Sequence, residues 1–164
     1  MSKYKNLKKD SFIKGLPRTS IDNSGISKKL RFNFDFFDGN QEAGIDYKDL
    51  TKEELIKFFD KIKNFSKEDL LYWRQERCGK GGLKVFVEYG DFPKNSDFDH
   101  PPHVPHDAMW ARFRIESKFR LIGFLVPDNL HEKRDEETKY LYDRNTFYIV
   151  FLDKEHRFYK TEQT

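Results

Sequence analysis

Three apolar runs of strand length close this chain: WARFRIES (110–117), FRLIGFLVP (119–127) and TFYIVFLD (146–153). Each is too short for a core helix and rich in aromatic and β-branched residues, so each predicts a strand. Only the Glu116–Lys118 turn separates the first two, which makes them an antiparallel pair. LKVFVEYG (83–90) predicts a further strand, with Val85, Val87 and Tyr89 opposed to Lys84, Phe86 and Glu88. Near the start, LRFNFDFF (30–37) alternates strictly, placing Phe32, Phe34 and Phe36 on one face.

The intervening segment has a different period. Thr51 and Glu54 form a capping box, and Leu55, Phe58, Phe59 and Ile62 follow at helical spacing. Ser66 with Asp69 repeats the start signal, Leu70 and Trp73 continue one stripe, and the glycines between Gly79 and Gly82 stop it. The order is β-α-α-β-β-β-β: an α+β domain with one antiparallel, curved sheet and two short helices on one face. Its core must be aromatic. Only 37% of the residues are hydrophobic, but 17 Phe, 8 Tyr and 2 Trp bury much area each.

Residues 1–29 hold eight Lys or Arg against Asp10 and Asp22, more positive charge than the +3 of the whole chain. They read as a basic, flexible arm preceding a single domain over 30–164. Cys78 is the sole cysteine, so no internal disulfide can form and a reducing, cytoplasmic setting is the expectation. No run approaches a membrane span, and no apolar leader follows Met1.

The candidate chemistry lies on the closing strands. Ala111, Phe113 and Ile115 share one face of 110–117; Trp110, Arg112, Arg114 and Glu116 share the other. Arg120 begins the next strand, across the turn from Arg114. The last strand runs without Gly or Pro into Asp153, Lys154, His156, Arg157, Tyr159 and Lys160. Guanidinium groups grip phosphodiester oxygens in pairs, aromatic rings stack on unpaired bases, and an imidazole exchanges protons near neutrality. Together they suit RNA cleavage by the 2′-hydroxyl, with arginines stabilising phosphoryl charge and His156 protonating the leaving 5′-oxygen. Trp110, Lys154, Arg157, Lys160 and His106 are the expected RNA contacts. A solvated sheet face with arginine–glutamate pairs is the competing reading.

MWARFRIESKFRLIGFLVP followed by TFYIVFLDKEHRFYK resembles the C-terminal half of the RelE/ParE toxin superfamily. The resemblance implies a strand, two helices and a curved antiparallel sheet. It also implies a metal-independent mRNA interferase, in some members ribosome-dependent, neutralised by an antitoxin protein in a toxin–antitoxin or antiphage system. Arg120 falls at the family's strand arginine, Arg112 or Arg114 at that of the preceding strand, and His156 and Tyr159 at its terminal acid and stacking positions. No cofactor is implied. The chain departs from the pattern in its basic arm, its longer loops at 91–109 and 129–145, and the lack of a clear general base; Glu116 and His106 are the candidates. A non-catalytic module on the same fold, binding a protein partner or directed at gyrase, remains the alternative.

His100, His103 and His106 recur every third residue in a proline-rich loop. An extended backbone of that period could align three imidazoles for Zn²⁺, or the loop could simply face a partner or solvent. His131 reads as a solvated side chain. Lys52, Lys57, Lys61, Lys63 and Lys67 give one helix a basic face that solubilises it or tracks phosphates.

Overall fold

The computed structural model describes residues 6–161. It is an α+β fold with helices α1 (Leu7–Gly15), α2 (Lys52–Phe65) and α3 (Leu70–Gln75). Its strands are β1 (Arg31–Asn33), β2 (Arg77–Cys78), β3 (Leu83–Lys84), β4 (Phe86–Gly90), β5 (Met109–Arg114), β6 (Arg120–Leu125) and β7 (Thr146–Asp153). Five strands form one sheet in the order β1-β7-β6-β5-β4, and β2-β3 is a separate hairpin. The sheet is mixed, not wholly antiparallel: β1 lies parallel to β7, while the other neighbours are antiparallel. The long connection between β1 and β7 allows this, since parallel neighbours need a crossover.

The capping box of α2 is complete, Thr51 Oγ1 accepting from the Glu54 N–H at 3.2 Å and Glu54 accepting from the Thr51 N–H at 2.9 Å. The next helix starts later than the Ser66 signal suggests. Asp69 caps it at the Tyr72 N–H (2.9 Å), while Ser66 Oγ turns back to the Ile62 carbonyl. Both helices pack Phe58, Phe65, Leu70 and Trp73 on one sheet face, against Phe113, Leu121, Phe147 and Ile149. The Trp73 indole donates to the Phe65 carbonyl at 2.7 Å, so this aromatic core leaves no buried N–H unpaired there.

The opposite face also carries a core. Phe98 and Val104 of the 91–108 loop and Phe158 beyond β7 cover Trp110, Ile122, Phe124 and Phe151. The alternation of 30–37 breaks for the same reason. Asn33 Oδ1 accepts the Asp35 N–H at 2.9 Å and turns the chain, so Phe32 packs on the helix side and Phe36 on the opposite side. Phe34 is left exposed.

A β-bulge in β7 determines which face its end presents. Ile122 pairs with Phe151 but Gly123 with Ile149, leaving Val150 as the extra residue. Phe151 and Asp153 are thereby moved onto the Arg120 face. Gly123 makes room for the bulge: a Cβ there would lie 2.1 Å from the Tyr148 carbonyl and 2.6 Å from the Phe147 ring.

The arm is not without structure. Asn6 Oδ1 caps α1 at the Lys9 N–H (3.2 Å), yet the helix buries no side chain. Residues 1–5 of the expected flexible arm lie outside the described residues. Among the described residues, no helix is long and apolar enough to cross a membrane.

Candidate functional site

The register brings the expected arginines together. Arg114 pairs with Arg120, and Arg120 pairs with Asp153, in a row across β5, β6 and β7. Paired residues stand about 4.5–5.5 Å apart at Cα, and Arg112 is one repeat along β5, about 7 Å from Arg114 on the same face. Arg120 is 4% exposed and Arg112 8%. The Nη1 of Arg120 donates to the carbonyls of Glu116, Ser117 and Phe119 at 2.9, 2.7 and 3.0 Å, and its Nε is buried without an acceptor. Arg112 donates to the Lys84 carbonyl at 3.1 Å, and Arg114 to that of Ser117 at 3.1 Å.

Among the described residues none of the three has a carboxylate within 4 Å, and the ion pairs use other cations. Burial, then the charges of Arg114 and Arg112, bring Arg120 down to about 10, and burial also lowers Arg112. Like charges held together and partly dehydrated are costly unless an anion joins them.

Beyond β7 the chain turns back over this cluster. The Asp153 carboxylate, 1% exposed, accepts the N–H groups of Arg157 and Phe158 at 2.9 Å and of Glu155 at 3.3 Å. His156 occupies the turn with φ 60°, in the left-handed region. Burial, then the Arg120 charge, holds its imidazole below the usual histidine range, with Arg112 adding to the effect and Asp153 opposing it. Tyr159 follows and stacks on Tyr89, ring centroids 4.9 Å apart and planes at 6°. Tyr89 is the extra residue of a second bulge, between Glu88 and Gly90 of β4. Burial raises its phenol above the usual range, against the lowering effect of Arg112 beside it. Arg112, Arg114, Arg120 and His156 therefore lie in one region, to which Tyr159 is joined through Tyr89. Tyr89 is an addition that strand alternation alone did not single out.

Several expected contacts are placed otherwise. Trp110 is 1% exposed beneath Phe92 and Phe158, so no base can stack on it. Lys154 pairs with Glu54 at the start of α2. Arg157 and Lys160 share Asp97, clipping the 91–108 loop to the tail. Glu116 pairs with Lys57 of α2 at 3.3 Å. His106 lies in the turn before β5, at the other end of that strand from Arg114.

The three loop imidazoles do not converge. His103 Nε2 contacts the Phe36 carbonyl at 3.0 Å, and the His100 ring packs on Phe92 and Trp110. Among the described residues, no group of three or more His, Cys, Asp or Glu is arranged to hold a metal. His131 is half-buried, its Nδ1 accepting the Arg144 N–H at 3.2 Å. Of the basic helix face, Lys57 and Lys61 line an open groove of about 920 Å³ that begins at Arg114 and passes Trp73 and Arg77. A cavity of about 500 Å³ beside Arg31, Asp143 and Arg144 is lined by none of the cluster residues.

No family model, curated protein or solved structure matches this chain.

Proposed function

We propose that the protein is a toxin-type endoribonuclease of the RelE/ParE kind that cleaves mRNA at the Arg112–Arg114–Arg120 cluster. The observation that carries this is that none of the three joins an ion pair of the described residues, the Asp153 carboxylate beside Arg120 being taken up by backbone N–H groups: three guanidinium groups, two of them buried, leave excess positive charge for a phosphodiester to neutralise.

In the reaction the 2′-oxygen attacks phosphorus and the P–O5′ bond breaks, giving a 2′,3′-cyclic phosphate and a 5′-hydroxyl. The arginines bear the charge that grows on the phosphoryl oxygens. The two arginines that depress His156 are the ones a bound phosphate offsets, so substrate raises the imidazole and prepares it to protonate the 5′-oxygen. The 2′-hydroxyl proton passes to water, Glu116 being paired with Lys57. Tyr159, 43% exposed on its Tyr89 support, offers a face to a base. An antitoxin protein would neutralise the enzyme in the cell.

The test is end-group analysis of RNA incubated with the protein and EDTA, both free and as mRNA on ribosomes. Cyclic-phosphate and 5′-hydroxyl ends are expected from wild type and not from Arg120→Met or His156→Asn. Intact RNA in both formats would favour a binding module on this fold.

A further inference from the structure

The 91–108 loop and the tail beyond β7 form a pocket of their own, outside the arginine cluster but joined to it. Its volume is about 400 Å³, and Pro93, Lys94, Asn95, Tyr159, Lys160 and Thr161 line it. Small-molecule sites commonly occupy roughly 300–1,000 Å³. Among the described residues no acidic side chain lines it. An aromatic ring, an amide and two ammonium groups around one space suit a nucleotide: the ring takes the face of a base, the amide its edge, and an ammonium group the phosphate.

The walls of the pocket are fixed without a ligand. The Ser96 N–H bonds the Pro93 carbonyl at 3.4 Å, closing a turn whose central residues are Lys94 and Asn95. Both are exposed, and Lys94 joins no ion pair of the described residues. Before the turn, Phe92 packs on Trp110 and Phe158; after it, Phe98 is buried against Phe151. Asp97 fastens the turn to the tail. Its N–H donates to the Arg157 carbonyl at 3.1 Å, and its carboxylate accepts from the Arg157 guanidinium at 2.9 Å and from the Lys160 ammonium. Those two residues stand on either side of Tyr159 in the chain, so the ring and the turn are held together. Tyr89 supports the ring by stacking on it and meets the Arg112 guanidinium through its phenol. The pocket is lined by Tyr159 and not by Tyr89. Arg112, Tyr89, Tyr159 and the pocket therefore follow one another as neighbours.

We propose that this pocket seats one base of the strand whose phosphate lies at the arginine cluster. The base stacks on Tyr159, the Asn95 amide reads its edge, and Lys94 meets an adjoining phosphate. The inference rests on the RNA-cleaving reading and adds to it a point at which one base is told from another.

Fluorescence anisotropy with labelled, single-stranded 2′-deoxy octamers tests it, an abasic site being walked along the octamer. In wild type one abasic position is expected to weaken Kd about tenfold, the worth of one stacked base, and the four bases at that position to bind unequally. Tyr159→Leu should erase the abasic effect. Asn95→Ala should level the four bases and, as a change at an exposed turn, keep the wild-type melting temperature, so its result stands even if Tyr159→Leu fails to fold. An octamer that Arg120→Met weakens but that shows no sensitive position overturns the seat and leaves the cluster standing. So does base discrimination that Asn95→Ala leaves intact. Binding that Arg120→Met does not weaken removes the cluster, and the seat with it.

Discussion

The buried carboxylate of Asp153 fixes His156 by gripping the backbone on both sides of it, at Glu155 before and at Arg157 and Phe158 after. The turn this creates lies on the Arg120 side of the sheet, because Asp153 pairs with Arg120 after the bulge at Val150. The charged cluster at the end of an apolar strand thus begins with a structural residue. Asp153 accepts backbone donors that would otherwise be buried unpaired.

Removing that carboxylate should loosen both fold and site. Asp153→Ala is expected to cost about 2–4 kcal/mol, the loss of charge-assisted bonds to buried N–H groups. Asp153→Asn, which keeps an acceptor oxygen, should cost less. Urea denaturation of the two variants measures the difference; equal and negligible losses would show that the turn holds without its acceptor.

Gly123→Ala should act on the same site from the other side of β6–β7. The added methyl would collide with the Tyr148 carbonyl and the Phe147 ring, so the bulge must shift. Overpacking of this kind costs about 1–3 kcal/mol, and here it should also displace the His156 turn. Thermal melts and the chemical shifts of His156 read the two effects; a variant unchanged in both would separate the bulge from the site.

Much of this frame was legible beforehand. Strand runs in the C-terminal half, the Thr51–Glu54 box and the division of faces in 110–117 follow from period and capping chemistry, and each matches an observed element or packing. Trp110 was placed on its face correctly but left open to solvent, because nothing in the period of β5 reveals that a distant loop carrying Phe98 and Val104 folds over it. The same limit hid the pairing of Lys154, Arg157 and Lys160, whose carboxylate partners Glu54 and Asp97 are remote in sequence. The bulge in TFYIVFLD escaped because an unbroken apolar run carries no mark of parity. Gly123, facing it from the neighbouring strand, was the available signal.

Arg112→Met should expose the conflict between stability and binding. Its guanidinium is buried against the Lys84 carbonyl and the Tyr89 phenol and joins no ion pair of the described residues, so an apolar replacement of similar length relieves desolvation. The melting temperature should hold or rise, while affinity for a short 2′-deoxy oligonucleotide falls by about tenfold, or about 1.4 kcal/mol. A clear fall in melting temperature with unchanged affinity would make Arg112 a structural residue.

His156 should also leave a trace in the pH dependence of folding. Its folded value lies below that of the unfolded chain, about 6.5, so the folded state resists protonation. The stability this contributes is complete above the unfolded value and is lost as pH falls through the folded one. His156→Asn, which suits the left-handed backbone, should flatten that part of the profile without lowering stability at pH 8. An unchanged slope in denaturation curves taken across the acid range would contradict the shift.

The most direct measurement is the titration of the His156 imidazole by NMR, with and without a single-stranded 2′-deoxy oligonucleotide that can bind but not be cleaved. A phosphate seated among Arg112, Arg114 and Arg120 should move the midpoint upward, from below the usual histidine range to above it, and Arg120→Met should abolish the response. A midpoint that does not move on saturation with the oligonucleotide would mean that the arginine cluster is not where the phosphate binds.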